Sequence, residues 1–135
     1  MPAPARLVDR LPLRLLLADD NLVNQKVGAG LLKRFGYSVD VVANGAEVLR
    51  ALEGKSYDVI FLDLQMPEMD GFEAARRVRS RWSTRESERP RLIAMTSSAS
   101  QGDRDLSIAA GMDDYISKPF SPDTLRGALE QWGKR

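Results

Sequence analysis

The stretch from Tyr57 to Gly71, Tyr-Asp-Val-Ile-Phe-Leu-Asp-Leu-Gln-Met-Pro-Glu-Met-Asp-Gly, decides the fold. Residues 59–62 form an apolar run that is too short for a typical helix and is rich in β-branched and aromatic side chains. Such a run predicts a strand buried on both faces, as in a parallel sheet. Asp63 follows the run, and a proline and a glycine then predict a tight loop. A carboxylate at this position lies where open α/β sheets bind ligands, although it could also cap a loop or pair with a lysine.

Composition limits the possible chemistry. The 135 residues are enough for one domain, and the net charge of +1 gives no global field that would favour nucleic acid or a membrane surface. The chain has no cysteine and no histidine, which excludes disulfides, thiolate metal sites, serine-histidine triads and a phosphohistidine of its own. No apolar run approaches the roughly 20 residues that span a bilayer. We therefore expect a cytoplasmic domain that makes no direct contact with nucleic acid or membrane.

Apolar runs of strand character alternate with segments of helical periodicity along the whole chain. The predicted strands are 13–18, 37–42, 59–62, 91–95 and 114–117, and the predicted helices are 22–35, 46–54, 72–82, 101–110 and 122–132. This alternation predicts a parallel sheet with helices on both faces. Residues 1–12 are expected to form a flexible linker, 13–133 the domain, and 81–89 a solvated polar loop.

Right-handed crossovers place the C-terminal ends of all parallel strands at one edge of the sheet. That edge should collect Asp19, Asp20, Asp63, Thr96 and Lys118. Three neighbouring carboxylates repel one another unless a cation intervenes. Without histidine or thiolate, a hard cation such as Mg²⁺, with Mn²⁺ able to substitute, is the natural partner. With a lysine and a hydroxyl opposite, this set has what phosphoryl transfer to an aspartate requires.

Each of these residues also has an ordinary structural explanation when it is taken alone. Asp19 and Asp20 could cap a helix, Thr96 could satisfy the backbone at a strand end, and Lys118 could be a solvated loop residue. Tyr115 could be a partly buried core aromatic. Their joint arrival at one sheet edge favours a functional site.

The chain resembles a response-regulator receiver domain over residues of about 13–133. The matching segments are Leu-Ala-Asp-Asp-Asn, Phe-Leu-Asp-Leu-Gln-Met-Pro-Glu-Met-Asp-Gly, Ala-Met-Thr-Ser and Asp-Tyr-Ile-Ser-Lys-Pro-Phe. The resemblance implies a flavodoxin-like, doubly wound (βα)5 fold, an α/β three-layer sandwich whose five-stranded parallel sheet has the order 2-1-3-4-5.

The resemblance also implies roles for the acids and the lysine. Asp63 would be the phosphoacceptor, and Lys118 would contact the phosphoryl group. Asp20, Asp63 and the backbone carbonyl of Gln65 would hold Mg²⁺, with Asp19 acting mainly through metal-bound water.

The same resemblance implies residues for a conformational switch and residues that set the lifetime of the phosphoryl group. Thr96 would be the switch hydroxyl, and Tyr115 would change rotamer with it. Gln65 and Ser98 would flank the attacking water and tune the lifetime of the phosphoryl group. Pro119 would follow a cis peptide bond that directs the preceding lysine inward.

This chain has no histidine, so a donor histidine must lie on another chain or domain. The resemblance implies that this donor is a histidine kinase or a histidine phosphotransfer domain. We expect the donor to dock on the first predicted helix, through Leu22, Val23 and Lys26. From the helical spacing alone, Val23 could equally be a core residue. Phosphorylation would add roughly two negative charges and shift the face formed by the fourth predicted helix, the fifth strand and the fifth helix. A phosphorylation-dependent dimer is one possible outcome.

The sequence leaves several contexts open. Its motifs are similar to those of receivers in hybrid sensor histidine kinases. A parent kinase of this kind could be anchored in a membrane. The alternatives are a free single-domain regulator and a docking pseudo-receiver, which should have lost Asp63 or Lys118. A haloacid-dehalogenase-type phosphatase would need a second aspartate at position 65, where this chain has Gln65.

Overall fold

The fold is an α/β sandwich of three layers. A computed structural model describes residues 7–64, 66, 68–96, 101–118 and 121–133. In chain order the elements are α1 (Leu7–Arg10), β1 (Leu15–Ala18), α2 (Leu22–Arg34), β2 (Val39–Val42), α3 (Gly45–Gly54), β3 (Val59–Asp63), α4 (Gly71–Arg81), a 3₁₀ turn (Glu86–Glu88), β4 (Arg91–Thr96), α5 (Gln101–Ala110), β5 (Asp114–Ser117) and α6 (Pro122–Trp132).

The five strands are all parallel and lie in the order β2-β1-β3-β4-β5, which confirms the predicted topology. The central strand β3 is buried throughout, and its side chains alternate between two cores. Ile60 and Leu62 pack with α3, α4 and α5 on one face of the sheet. Val59 and Phe61 pack with α1, α2 and α6 on the other face. The strand between two apolar layers is therefore as the sequence predicts.

Side-chain caps explain where four of the helices begin. Asn21, Asn44, Asp70 and Ser121 each accept a hydrogen bond from the backbone N–H three residues later. Such caps satisfy one of the otherwise unpaired N–H groups of the first turn.

Part of the predicted N-terminal linker is helical. Residues 1–12 were expected to be flexible, but 7–10 form helix α1. Leu7 is buried in the core on the α2 and α6 side of the sheet, and the N–H of Val8 donates to the carbonyl of Phe35 at 3.1 Å. Burial of the Leu7 side chain in this core stabilises the helical turn.

The polar segment 81–89 is not solvated throughout, and this expectation was wrong at its last residue. Arg89 is only 1% exposed, and its two terminal nitrogens each donate to one carboxylate oxygen of Asp113 at 2.8 Å. Asp113 also accepts from the N–H of Leu92 at 2.7 Å. This bidentate ion pair fastens the segment that contains the 3₁₀ turn to the start of β4 and to the turn before β5.

Candidate functional site

The predicted polar residues do meet at the C-terminal edge of the sheet. Asp19 and Asp20 directly follow β1, Asp63 is the last residue of β3, Thr96 is the last residue of β4, and Lys118 directly follows β5. The register brings neighbouring strands to this edge together, because Ala18 pairs with Leu62, Asp63 with Met95, and Thr96 with Ser117.

The three acids are close enough to share one cation. Carboxylate oxygens of Asp19, Asp20 and Asp63 all lie within 4.8 Å of one another. Asp19 is fully buried and Asp63 is buried, whereas Asp20 is exposed to solvent. Such a group of hard oxygen donors, with one side open to water, fits a divalent cation such as Mg²⁺.

The two oxygens of Asp19 have different surroundings. Oδ1 accepts a hydrogen bond from the N–H of Asn21 at 2.9 Å. Oδ2 is buried and has no hydrogen bond of good geometry within the described part of the chain. Its close neighbour is the ammonium of Lys118, at ion-pair distance. Lys118 therefore compensates the buried charge of this oxygen.

Lys118 joins the acids to the last strand. Its Nζ atom lies 2.9 Å from Oδ2 of Asp19 and 3.1 Å from Oδ2 of Asp63. Burial acts to lower the pKa of Lys118, but the two carboxylates raise that pKa by more, so the net shift is upward. The backbone N–H of Lys118 donates to the carbonyl of Thr96 at 2.7 Å. An ammonium ion is thereby fixed beside the Asp63 carboxylate.

A close backbone contact fixes the position of Asp63. A Cβ atom built on Gly71 would lie 2.4 Å from the Asp63 carbonyl oxygen. The next residue, Leu64, donates its N–H to the carbonyl of Met95 at 3.1 Å. The N–H of Gly45 in α3 donates to the carbonyl of Met69 in the intervening loop at 2.9 Å. The loop after β3 is therefore held on several sides, and only glycine at position 71 leaves the strand end where it is.

Thr96 and Tyr115 lie on the same face of the sheet. Tyr115 pairs with Ala94, two residues before Thr96, and side chains two apart on a strand share a face. Thr96 is buried and Tyr115 is partly buried. The Tyr115 hydroxyl contacts the guanidinium of Arg104 on α5, whose carbon lies 4.5 Å from the centre of the ring. The tyrosine is thus held towards α5 at its outer end.

The expected docking residues are exposed beside the acids. Leu22 and Val23 are 69% and 67% exposed, and Lys26 is also exposed. The structure thus excludes a core role for Val23. Val27 is 43% exposed as well, so it extends the apolar surface along α2.

Sequence reasoning missed one residue of this site. The side-chain amide of Gln25 in α2 donates to the backbone carbonyl of Asp19, with Nε2 and O 2.6 Å apart. The signal was present, because Gln25, Gly28 and Leu32 share one helical stripe, and the latter two are buried. A polar residue on the inner stripe of a helix indicates a buried hydrogen bond.

The predictions for Gln65, Ser98 and Pro119 lie outside the described residues. The backbone carbonyl ligand, the two residues flanking the attacking water and the cis peptide bond therefore stay predictions.

Comparison with known proteins supports the resemblance. Residues 15–130 match the family model described as the response regulator receiver domain. The chain belongs to this family. It is 38% identical over 124 residues to hybrid signal transduction histidine kinase L of Dictyostelium discoideum, a match that covers 90% of this chain and 7% of that protein.

Two solved structures show the same fold. The receiver domain of sensor histidine kinase PA1611 from Pseudomonas aeruginosa, solved with a magnesium ion coordinated in its active site cleft, is 39% identical with a TM-score of 0.79, covering 90% of this chain and 97% of that one. The receiver domain of Ssk1 from Saccharomyces cerevisiae, co-crystallised with the histidine phosphotransfer protein Ypd1, is 29% identical with a TM-score of 0.82, covering 90% and 88%.

This receiver domain spans only 6% to 15% of the length of the curated histidine kinases it resembles. Among the helices that the structure describes, none combines the length and apolar character needed to cross a bilayer.

Proposed function

We propose that this receiver domain accepts a phosphoryl group from a phosphohistidine onto the carboxylate of Asp63. The observation that carries the proposal is the ammonium of Lys118 lying 3.1 Å from Oδ2 of Asp63, within a cluster of three acids that can share a cation. An oxygen of Asp63 attacks phosphorus, the bond from phosphorus to the donor imidazole nitrogen breaks, and the imidazole leaves with that electron pair.

Charge neutralisation makes this transfer feasible, because most of the catalysis in phosphoryl transfer is positioning and electrostatic stabilisation. When bound, Mg²⁺ (or Mn²⁺) would neutralise phosphoryl and carboxylate charge. Asp20 and Asp63, with the Gln65 carbonyl, would hold it directly, and Asp19 would hold it mainly through bound water. Lys118 would pair with a second phosphoryl oxygen.

Thr96 and Tyr115 would report the modification to the rest of the domain. Thr96 lies at the end of β4 and would donate its hydroxyl to a phosphoryl oxygen. Its movement would free space on the sheet face that Tyr115 shares, so that the tyrosine could turn inward from Arg104. The surface of α5, β5 and α6 would then change its preferred partners, and a phosphorylation-dependent dimer is one such outcome.

The donor would be a histidine kinase or a histidine phosphotransfer domain. The complex of Ypd1 with the receiver domain of Ssk1 is the precedent for such a pairing. We propose that the donor packs on α2 through Leu22, Val23 and Lys26, because these exposed side chains begin two residues after the acids. Large exposed apolar side chains grouped beside a reactive site are typical of protein contacts.

The parent protein is proposed to be a hybrid sensor histidine kinase, since the curated relatives described above are histidine kinases. A free single-domain regulator is not favoured by these relatives. A docking pseudo-receiver is disfavoured because Asp63 and Lys118 are both present and adjacent. The domain itself would act as a phosphoacceptor and would not be an enzyme for another substrate. Its cytoplasmic location stays a prediction. The roles of Gln65 and Ser98 in setting the phosphoryl lifetime also stay predictions.

Incubation with a small phosphodonor and Mg²⁺, followed by intact mass measurement, tests the proposal. The wild type should gain one phosphoryl group, and Asp63→Asn should gain none. A wild type that gains nothing, or an undiminished gain in the variant, would contradict it. Repeating the incubation with a chelator in place of Mg²⁺ should abolish the gain.

A further inference from the structure

Asp19 is held by hydrogen bonds from three directions. Its N–H donates to the carbonyl of Val42 in β2 at 3.1 Å, and its Oδ1 atom accepts from the N–H of Asn21. Its backbone carbonyl accepts from Nε2 of Gln25 at 2.6 Å. Of these three contacts, the one from Gln25 comes from a side chain within the body of helix α2.

The carbonyl that Gln25 binds belongs to the peptide unit that joins Asp19 to Asp20. Because a peptide unit is planar, its carbonyl oxygen and both flanking Cα atoms lie in one plane. A hydrogen bond to this one oxygen therefore helps to fix the backbone from which both acidic side chains extend. These are two of the three acids whose oxygens lie within 4.8 Å of one another.

Helix α2 presents a different face to solvent. Leu22, Val23 and Val27 are exposed, whereas Gly28 and Leu32 are buried on the stripe that includes Gln25. The backbone N–H of Gln25 donates to the carbonyl of Asn21 at 3.0 Å, which ties its position to the start of the helix. A displacement of the first turns of α2 would therefore move the amide that holds the Asp19–Asp20 peptide.

We infer that Gln25 is a positioning residue that couples the exposed apolar face of α2 to the acid cluster. This inference rests on the proposed function, and it adds a route by which a protein that engages α2 alters the metal-binding acids. The coupling is reciprocal: binding of a cation at the acids must also stabilise the first turns of α2. That reverse direction can be measured without knowing the partner.

Replacement of Gln25 by methionine retains the length of the side chain and removes the donor. Loss of a hydrogen bond that orients metal-binding groups typically weakens metal affinity about tenfold. The Gln25→Met variant should therefore bind Mg²⁺ about tenfold more weakly than the wild type. The matched control is Lys33→Met, which places the same side chain at an exposed position of the same helix, and it should bind Mg²⁺ like the wild type.

The experiment measures Mg²⁺ affinity by titration of backbone amide chemical shifts, and amide hydrogen exchange in α2 with and without Mg²⁺. In the wild type and Lys33→Met, saturating Mg²⁺ should slow exchange in the first turns of α2. In Gln25→Met it should not, even when Mg²⁺ is raised to saturate the weaker site. A residue that merely stabilised the helix would change exchange without Mg²⁺ and leave the affinity unchanged.

Equal affinities in Gln25→Met and Lys33→Met, or equal Mg²⁺-dependent protection of α2, would overturn the inference. If Gln25→Met does not fold, the isosteric Gln25→Glu, which cannot donate when ionised, is measured in its place. Failure of the proposed function would look different, since the wild type itself would then show no Mg²⁺ binding or no phosphorylation of Asp63.

Discussion

Gly71→Ala tests how strictly the strand end must be placed. The added Cβ would lie 2.4 Å from the carbonyl oxygen of Asp63, whereas ordinary contact begins at 3.4 Å, so the two groups must separate by about 1 Å. The carbon of the same carbonyl would be 3.1 Å away, so side-chain rotation cannot relieve the contact. Misplacement of a reacting group by this distance can slow a reaction about 10²-fold.

We therefore expect Gly71→Ala to accept a phosphoryl group from a small phosphodonor about 100 times more slowly than the wild type, and to lose about 1–3 kcal/mol of stability from overpacking. Intact mass measured against time gives the rate, and urea denaturation gives the free energy of unfolding. Gly127→Ala is the control, because nothing lies within 4 Å of the added methyl group. It should keep the wild-type rate and gain about 0.5–1 kcal/mol of stability in mid-helix.

The small phosphodonor isolates the effect on chemistry from any effect on docking of a protein donor. A folded Gly71→Ala variant that is phosphorylated as fast as Gly127→Ala would refute the reasoning. It would mean that the loop after β3 gives way and leaves Asp63 in place.

Three further predictions concern stability and titration. Arg89→Met should cost about 3 kcal/mol in urea denaturation, because the partly buried carboxylate of Asp113 loses its bidentate partner and keeps a more distant guanidinium at 4.0 Å. Arg85→Met, in an exposed pair, should cost at most about 1 kcal/mol. Equal costs would show that burial of Arg89 does not matter. Burial acts to raise the pKa of Asp113, but hydrogen bonds from Arg89 and a backbone N–H hold that pKa below its ordinary value. Its stabilisation should therefore be complete above about pH 4 and fall as the pH drops further, and Asp113→Asn should flatten this part of the curve of unfolding free energy against pH; an unchanged slope would contradict the ion pair. Burial and the hydrogen bond to Asp40 raise the pKa of Tyr57 to about 12. Ultraviolet titration should therefore show a late phenol that is absent in Tyr57→Phe, and titration of this phenol near pH 10 would contradict the hydrogen bond.

The topology and the acid cluster could be predicted because they depend on local pattern. Apolar runs alternate with helical periodicity, and parallel strands with right-handed crossovers have only one edge at which Asp63, Thr96 and Lys118 can meet. The N-caps of α2 and α6 were equally accessible, since Asn21 and Ser121 act within three residues of their own position.

The features that were missed depend on partners distant in sequence. Arg89 looked like part of a solvated charged run, and only the fold brings it to Asp113, 24 residues later. Leu7 looked like part of a flexible tail because its core contacts come from several later elements. The helical period of α2 is enough to predict that Gln25 faces inward. It does not predict that the backbone carbonyl of Asp19 accepts the hydrogen bond of Gln25.

The central claim is that Asp63, and neither of its two neighbouring acids, receives the phosphoryl group. Reduction of the phosphorylated chain with borohydride converts an aspartyl phosphate to homoserine, which peptide mass spectrometry locates to a single residue. The account predicts homoserine at position 63 alone, formed only when both phosphodonor and Mg²⁺ are present. Homoserine at position 19 or 20, or a stable phosphate on Thr96, would contradict it.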